Sequence, residues 1–224
     1  MNVLGLDTAT SATVVALARS DGWLREARDD VRPRERPQHS QRLLTLAAEL
    51  LAAAGIDWTQ VELIAAGVGP GGYAGLRIGL ASARGLARAH GARLVGVGTL
   101  RALAEPVQAR SVAAVIDARR GEAFVGVYRD GAELLAPRVC RPDELSMLAR
   151  AGGPGTLAVG DGALRFRELI ERGGGVVVAP VDSELHAVSA AAICRLGLGA
   201  SATLADPDYQ RLADAEIALA APTP

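Results

Sequence analysis

A glycine-rich segment carries the first residue pattern in this chain that suggests chemistry. It runs from Gly69 to Gly79, follows the apolar stretch Val61 to Val68, and opens a stretch of helical periodicity that extends to about Gly91. A strand, a glycine turn and a helix start can together bind a phosphate, because the first backbone N–H groups of a helix lack partners and attract anions. The lysine-containing phosphate loop is excluded, since the chain contains no lysine.

The same segment carries a stripe of small side chains. Small residues recur at every fourth position, namely Gly75, Gly79, Ala83 and Ala87. In a helix this spacing places them on one face, where another backbone can approach closely. Two interpretations follow: the helix packs tightly on its own sheet, or it docks a partner.

Asp7 and His39 are further polar residues placed to act on a ligand. Asp7 ends the apolar run Val3 to Leu6 and precedes Thr8, so this turn can hold a magnesium-bound nucleotide or only cap itself through Asx-type hydrogen bonds. The Cβ of Ala9 crowds a backbone that would have to approach phosphate oxygens. His39 can be a metal ligand or a general base, but its neighbours supply no carboxylate or thiolate, so we expect it to cap the helix that begins there.

A charged turn lies in the middle of the chain. The run Asp117 to Glu122 contains Arg119 and Arg120 between two apolar stretches. The two arginines either form surface salt bridges on a hairpin, or face a cleft where they contact an anion such as an RNA phosphate or a nucleotide. No serine or cysteine can be paired with a histidine and a carboxylate in the pattern of a nucleophilic enzyme, so we assign no catalytic residue.

The composition limits the possible classes of protein. Of 224 residues, 50% are hydrophobic and 3% aromatic, so we expect an aliphatic core. The formal net charge is −1 and no basic block stands out, which argues against wholesale binding of a nucleic-acid backbone by this chain alone. We expect no leader and no membrane-spanning segment, and Cys140 and Cys194 lack the spacing of metal ligands. We therefore expect a cytoplasmic protein with reduced thiols and no membrane contact.

Strands and helices alternate along the chain, and the second half repeats the first. Val3 to Asp7 and Ala113 to Asp117 are both apolar runs that end in aspartate and lead through a polar turn into another strand. Duplication of one unit explains this similarity, although two unrelated hairpins can also produce it by chance. We predict an α/β protein with two lobes, residues 1–106 and 107–224, each a mixed β-sheet flanked by helices. In the second lobe the pattern predicts a helix from Leu164 to Arg172.

Several segments together resemble one protein family. They are Leu6-Asp7-Thr8-Ala9-Thr10, His39-Ser40-Gln41-Arg42-Leu43-Leu44, Gly69 to Gly79 and Asp117-Ala118-Arg119-Arg120-Gly121-Glu122, with a weaker match at Tyr209-Gln210-Arg211. The first strand and turn resemble the actin, sugar-kinase and Hsp70 superfamily, in which this turn holds ATP phosphates. Over nearly its full length the chain resembles the bacterial TsaB (YeaZ) family, the partner subunits of the enzyme that makes threonylcarbamoyladenosine in tRNA.

The resemblance implies a duplicated actin-like fold and a non-catalytic scaffold or dimerisation subunit. The catalytic sibling of the family binds metal through two histidines four residues apart, and these positions correspond here to Thr99 and Leu103. Because leucine has no donor atom, we expect this chain to bind no metal and no cofactor alone, with ATP and a metal held by the catalytic partner.

The resemblance also implies partners. They are a TsaD-type catalytic sibling, a small TsaE-type ATPase, tRNA through the complex, and a second copy of the chain when it is isolated. The complex would transfer a threonylcarbamoyl group to the adenosine beside the anticodon of ANN-reading tRNAs. The alternatives are an actin-like small-molecule kinase or ATPase, and a glycoprotease-type hydrolase.

We predict that the helices His39 to Ala54 and Tyr73 to Gly91 form the docking surface for the partner. On a helical projection the leucines of the first helix spread over more of the circumference than one sheet-facing stripe requires, and the second helix adds the small-residue face. The predicted interface residues are Leu43, Leu44, Leu46, Leu50, Leu51, Gly75, Leu76, Gly79, Leu80 and Ala83.

Overall fold

The computed structural model describes residues 1–31, 35–200 and 205–210, and these form two five-stranded sheets with their helices. The first half of the chain contains β1 (Val3–Asp7), β2 (Thr13–Ala18), β3 (Leu24–Asp29), α1 (His39–Ala54), β4 (Leu63–Gly69), α2 (Tyr73–His90), β5 (Arg93–Gly98) and α3 (Thr99–Ala104). The second half contains β6 (Ser111–Arg119), β7 (Glu122–Arg129), β8 (Ala132–Cys140), α4 (Pro142–Ala149), β9 (Thr156–Val159), α5 (Asp161–Arg165), α6 (Arg167–Glu171), β10 (Val176–Val178) and α7 (Ala190–Gly199).

Both sheets have the same strand order. In the first sheet β1 lies between the antiparallel β2 and the parallel β4, in the order β3-β2-β1-β4-β5. In the second sheet β6 takes the place of β1, in the order β10-β9-β6-β7-β8. This repetition confirms the predicted duplicated α/β fold. The predicted division between residues 106 and 107 falls between α3 and β6 and stays a prediction.

Helices cover both faces of the first sheet. α1 and α2 pack on one face, over side chains such as Leu4, Leu6 and Ile64. α7 packs on the other face, against β1, β2, β4 and β5, where Ala65 and Val95 belong to the same core as the helix. Although α7 lies within the predicted range 107–224, it therefore completes the core of the first lobe.

The two lobes share a core around α3 and α7. Val112, Ala114 and Ile116 of the second sheet face this core, whereas α4, α5 and α6 cover the opposite face of that sheet. The carboxylate of Glu105, directly after α3, accepts two hydrogen bonds from Arg195 of α7, at 2.7 and 2.8 Å. This bidentate pair fastens α7 beside the connection between the lobes.

The predicted helix from Leu164 to Arg172 is wrong as one element. α5 ends at Arg165, and α6 begins at Arg167. Between them Phe166 has φ −107° and ψ 21°, and its ring is buried in the core of the second sheet. Burying the Phe166 ring in the core stabilises the protein more than one continuous helix would.

Candidate functional site

The carboxylate of Asp7 is held at the end of β1 by two short hydrogen bonds. Its Oδ1 accepts from the backbone N–H of Ala9 at 2.7 Å, and its Oδ2 accepts from the hydroxyl of Thr99 at 2.7 Å. The Thr99 hydroxyl in turn accepts from the backbone N–H of Gly69, at 3.2 Å. Asp7 thus ties the first turn to β4 and to the start of α3, and only 1% of its surface is exposed.

Burial changes the ionisation of this carboxyl group. Removal from water raises the pKa of Asp7 from 3.8 to about 6, although the hydrogen bonds from Thr99 and Ala9 act in the opposite direction. Burial also raises the pKa of Asp161, at the start of α5 in the second lobe.

The glycine-rich segment packs against the first turn and closes it. The N–H of Gly72 donates to the carbonyl of Ala9 at 2.7 Å, and the hydroxyl of Thr8 donates to the carbonyl of Gly75 at 2.7 Å. A Cβ at Gly71 would collide with the Ala9 carbonyl, and one at Gly75 would collide with the Thr8 carbonyl. These glycines are therefore required for contact between the segment and its own sheet, which confirms the first of the two interpretations of the stripe.

The two positions that correspond to the sibling's histidines have structural roles. Thr99 is completely buried and bonded to Asp7 and Gly69, as described above. Leu103 is 1% exposed and belongs to the shared core. In the part of the chain that the structure describes, no three histidine, cysteine or acidic side chains lie close enough together to hold a metal ion.

His39 does not cap α1, so that prediction is wrong. It is the first residue of the helix, is 6% exposed, and its Nδ1 lies 2.9 Å from the hydroxyl of Thr13 in β2. Burial lowers the pKa of His39, against a weaker opposite effect of Asp29, so the ring is neutral near pH 7. The sequence pattern at the start of α1 does not indicate this contact, because Thr13 lies 26 residues before His39.

A cleft of about 700 Å³ lies between the lobes, next to the closed turn. Its lining is mostly apolar, and that volume is in the range of small-molecule sites. The polar and aromatic side chains on its wall are Thr8, Thr10, Ser11, Arg36, His39, Tyr73, Asp117, Arg119, Phe124, Asp161, Asp208, Tyr209 and Gln210. Of the predicted anion contacts, Thr8 and Arg119 line this cleft, whereas Asp7 lies behind its wall.

The charged turn between β6 and β7 forms a tight network. Arg119 and Arg120 both have positive φ angles, 65° and 51°, which is unusual for residues other than glycine. Asp117 pairs with Arg119 at 3.3 Å and with Arg165 at 2.7 Å, while its own N–H donates to Asp161 at 3.0 Å. The salt-bridge interpretation is therefore correct for Arg119, and a contact of the two arginines with an anion stays a prediction.

Residues near the end of the chain complete the cleft wall, and sequence reasoning missed their role. The N–H of Asp208 donates to the carbonyl of Val68 at 2.7 Å, which brings the chain across the start of α2. There the ring of Tyr209 lies 5.0 Å from that of Tyr73, and its hydroxyl accepts from Arg77 Nε at 3.1 Å. The weak family match at Tyr209-Gln210-Arg211 was the one indication in the sequence that this segment has a role. Arg211 lies outside the described residues.

The predicted docking residues are mostly buried inside the chain. Leu43, Leu46, Leu50, Leu51, Gly75, Leu76, Gly79, Leu80 and Ala83 face the core of the first lobe. Leu44 is the exception, at 46% exposure. The expectation that this face is open on the monomer is therefore wrong, because α1 presents one apolar stripe to the sheet and not a full circumference of leucines. Whether α1 and α2 contact a partner stays a prediction.

Known proteins are similar in sequence to this chain. A family model described as TsaD, tRNA N6-adenosine threonylcarbamoyltransferase, matches residues 31–179. The protein named tRNA threonylcarbamoyladenosine biosynthesis protein TsaB of Escherichia coli (strain K12) is 38% identical over 133 residues, which are 58% of this chain and 55% of that protein. Its namesake in Haemophilus influenzae is 30% identical over 160 residues, 64% of this chain and 66% of that protein. The chain thus spans between half and two thirds of these relatives.

Solved structures agree with this result. A Pseudomonas aeruginosa protein described as similar to peptidase YEAZ is 30% identical, with a TM-score of 0.77 over 94% of this chain and 99% of that one. A ROK hexokinase from Thermus thermophilus has a TM-score of 0.52 at 16% identity, which supports the actin-like fold alone. Among the described residues, no helix is both long and apolar enough to span a bilayer.

Proposed function

This chain belongs to the TsaB (YeaZ) family, and we propose that it takes part in the formation of threonylcarbamoyladenosine in tRNA. The relatives named for this process and the matching family model support the proposal. The structural agreement with the YEAZ-like protein over nearly the whole chain supports it further.

Within this process we propose a non-catalytic role. The closed first turn is the main observation that supports this role. There both carboxylate oxygens of Asp7 accept hydrogen bonds, and the N–H of Gly72 donates to the carbonyl of Ala9. A magnesium-bound nucleotide needs a carboxylate that faces it at such a turn, whereas Asp7 is 1% exposed and its carboxylate is directed into the protein. Thr99 and Leu103 likewise offer no imidazole to a metal. ATP and metal are therefore assigned to the TsaD-type sibling, and the small TsaE-type ATPase completes the complex.

Reconstitution tests this role. The chain, the TsaD-type sibling and the TsaE-type ATPase are combined with an ANN-reading tRNA, and the modified nucleoside is measured by mass spectrometry. We expect product only when this chain and the sibling are both present, and none from this chain alone. Asp7→Asn should retain wild-type activity, since its carboxylate faces the interior. A folded Asp7→Asn protein with less than about one tenth of the activity, which is about 1.4 kcal/mol, would contradict the non-catalytic role.

The partner surface is proposed to lie on the outward sides of α1 and α2. Leu44, Ala48 and Ala52 form an exposed stripe four residues apart on α1, and Ala81 and Gly85 are exposed on α2. A Cβ built on Gly85 meets no atom within 4 Å, so this position leaves room for a close approach by another backbone. We therefore assign the close contact with the partner to the exposed face of α2, and not to its buried face of small residues.

Substitutions on that face test the surface. Gly85→Leu and Leu44→Glu should leave the monomer folded and abolish both homodimer and sibling complex, as measured by analytical ultracentrifugation. Met147→Glu, on the 62%-exposed Met147 of the second lobe, is the matched control. Wild-type affinity in both helix variants would place the interface elsewhere. Gly79→Leu is unsuitable as a test, because its side chain would collide with Thr8 inside the monomer.

Arg119 and Arg120 are proposed to contact an RNA phosphate in the assembled complex. Arg119 lines the cleft with a side chain that is 70% exposed. Replacing both by alanine should preserve the complex and lower the tRNA-modifying activity at least roughly 10-fold, since one charge-assisted hydrogen bond alone contributes about 1.5–3 kcal/mol. Full activity would leave the two arginines with a structural role in the hairpin.

A further inference from the structure

Residues 205–210 form a strap that lies along the outer side of α2. Arg84 Nη2 donates to a backbone carbonyl of the strap and to the carboxylate of Asp206, both at 2.7 Å. Two helical turns earlier, Arg77 Nε donates to the hydroxyl of Tyr209 at 3.1 Å. Two arginines of one helix therefore hold the strap in place.

The strap also bounds the cleft between the lobes. The N–H of Asp208 donates to the carbonyl of Val68 at 2.7 Å, and Asp208, Tyr209 and Gln210 all line the cleft. Gln210 in addition lines a second groove, of about 420 Å³, whose other residues belong to β8 and α4 of the second lobe. The strap therefore runs from a helix of the first lobe to the second lobe and forms one side of the cleft.

The contacts that hold the strap are mostly at the surface. Ala205 is 7% exposed and packs in the core of the first lobe, so it anchors one end. The side chains of Arg84 and Asp206 are 52% and 67% exposed. Because water screens a pair of charges this exposed, their ion pair contributes little to stability. The part of the strap beyond Ala205 can therefore leave α2 without unfolding the sheet.

A row of arginines on α2 runs beside the proposed partner surface. Arg77, Arg84 and Arg88 are exposed and follow each other at intervals of seven and four residues. At 3.6 residues per turn they fall within an arc of about 40°. The exposed Ala81 and Gly85 lie next to this arc on the helical projection. A row of guanidinium groups next to a surface of small residues suits a partner that carries carboxylates there.

Asp206 occupies the position that a carboxylate of the partner would take. A guanidinium group has five N–H donors, and both bonds from Arg84 to the strap come from Nη2 alone. A carboxylate of a docked protein can bind two donors of one guanidinium group at once, in a pair that the interface shields from water. Such a pair is stronger than the exposed pair with Asp206. Asp206 is therefore an internal competitor for Arg84.

We propose that the strap is a latch that couples partner docking to the cleft. In the isolated chain Asp206 pairs with Arg84 and the strap is closed. In the complex an acidic side chain of the TsaD-type sibling pairs with Arg84 and releases the strap. Asp208, Tyr209 and Gln210 then leave the wall, and the cleft opens on that side. This coupling rests on the proposed partner surface, whereas the closed latch is a property of the chain alone.

Hydrogen exchange of the isolated full chain tests the latch. The Asp208 amide reports on it, because its N–H is bonded to Val68 while the strap is closed. Asp206→Arg places like charges together and should speed the exchange of this amide at least about threefold, whereas Asp206→Glu keeps the carboxylate and should stay within about twofold. Arg88→Ala is the matched control, since Arg88 has no hydrogen bond or ion pair with the strap among the described residues. Equal exchange rates in all variants would refute the latch.

Affinity for the sibling tests the competition for Arg84. Asp206→Asn removes the internal carboxylate, so we expect it to bind the sibling about two- to fivefold tighter than wild type does. Arg84→Ala should bind at least about tenfold weaker, because it leaves the sibling's carboxylate unpaired in the interface. Wild-type affinity in Asp206→Asn would contradict the competition. Tighter self-association of Asp206→Asn, with an unchanged affinity for the sibling, would identify a second copy as the occupant and overturn the assignment to the sibling.

Exchange in the assembled complex tests the coupling itself. Saturation of the wild-type chain with the sibling should speed exchange of the Asp208 amide at least about tenfold, while amides of β1 stay protected. A complex of normal affinity in which this amide exchanges as slowly as in the isolated chain would overturn the coupling alone. Failure of the wild-type chain to bind the sibling would overturn the partner surface as well, and the exchange comparison in the isolated chain would still decide whether the latch exists.

Discussion

Asp7→Asn provides the sharpest physical test of the closed turn. The pKa of the Asp7 carboxyl is raised from 3.8 to about 6 by burial, so the folded chain holds this proton more tightly than the unfolded chain. Below about pH 3.8 the carboxyl group is protonated in both states and costs nothing. As the pH rises through 6, the folded state must ionise a buried group and loses stability. At 1.36 kcal/mol per pH unit, the complete loss is about 3 kcal/mol.

Asparagine has nearly the same shape and no proton to lose. The free energy of unfolding of Asp7→Asn, relative to wild type, should therefore rise by about 2.4 kcal/mol between pH 4 and pH 8, with a little under half of the rise reached at pH 5. Urea unfolding followed by circular dichroism across this range measures it. Asp182→Asn, on the surface, is the control. Parallel pH profiles of wild type and Asp7→Asn, or a difference that falls with pH, would refute the account of a desolvated carboxyl.

Three further substitutions probe the interior by denaturant or thermal unfolding. Thr99→Ala should lower the free energy of unfolding by about 3 kcal/mol, because it leaves the Asp7 carboxylate and the Gly69 N–H without the Thr99 hydroxyl. Thr99→Ser keeps a hydroxyl and should stay within about 1 kcal/mol of wild type, so equal losses in the two variants would contradict the role of the hydroxyl. Tyr128→Phe should raise the free energy of unfolding by about 1 kcal/mol, since the Tyr128 hydroxyl is buried and has no partner among the described residues. A clear loss of stability would show that this hydroxyl is hydrogen-bonded. Glu105→Gln should lower the free energy of unfolding by about 1 kcal/mol at pH 7. Because Arg195 lowers the pKa of Glu105, this difference from wild type should shrink as the pH falls below about 4.5, and a difference that is constant with pH would argue against the ion pair.

The fold was largely predictable because its signals are local. Apolar runs that end in Asp7 and Asp117 marked the equivalent strands of the two sheets, and Gly55 and Gly91, with positive φ angles, mark the predicted ends of α1 and α2. The destination of α7 was not predictable in this way. Its pattern shows a buried helix, but which sheet it covers depends on contacts across the whole chain, such as that of Gly5 with the Ala190 carbonyl.

The candidate site was less predictable for the same reason. Its residue type identified Asp7 and the family resemblance identified Thr99 as positions of interest, but only the fold shows that the two are hydrogen-bonded to each other. A helical projection could not reveal which side of α2 is buried, because both its sides carry small residues. The pairing of Tyr73 with Tyr209 joins residues far apart in sequence, and no local pattern encodes it.

The return of α7 to the first sheet has a consequence for synthesis. β1 leaves the ribosome long before the helix that covers one of its faces, because that helix begins at Ala190. At 5–20 residues per second, that face stays bare for roughly 10 to 40 s. During this interval aliphatic side chains such as Val3 and Ala65 are open to aggregation unless a chaperone shields them. The first lobe therefore matures only after α7 has been synthesised, and nascent chains released before α7 should be targets of the cell's quality control.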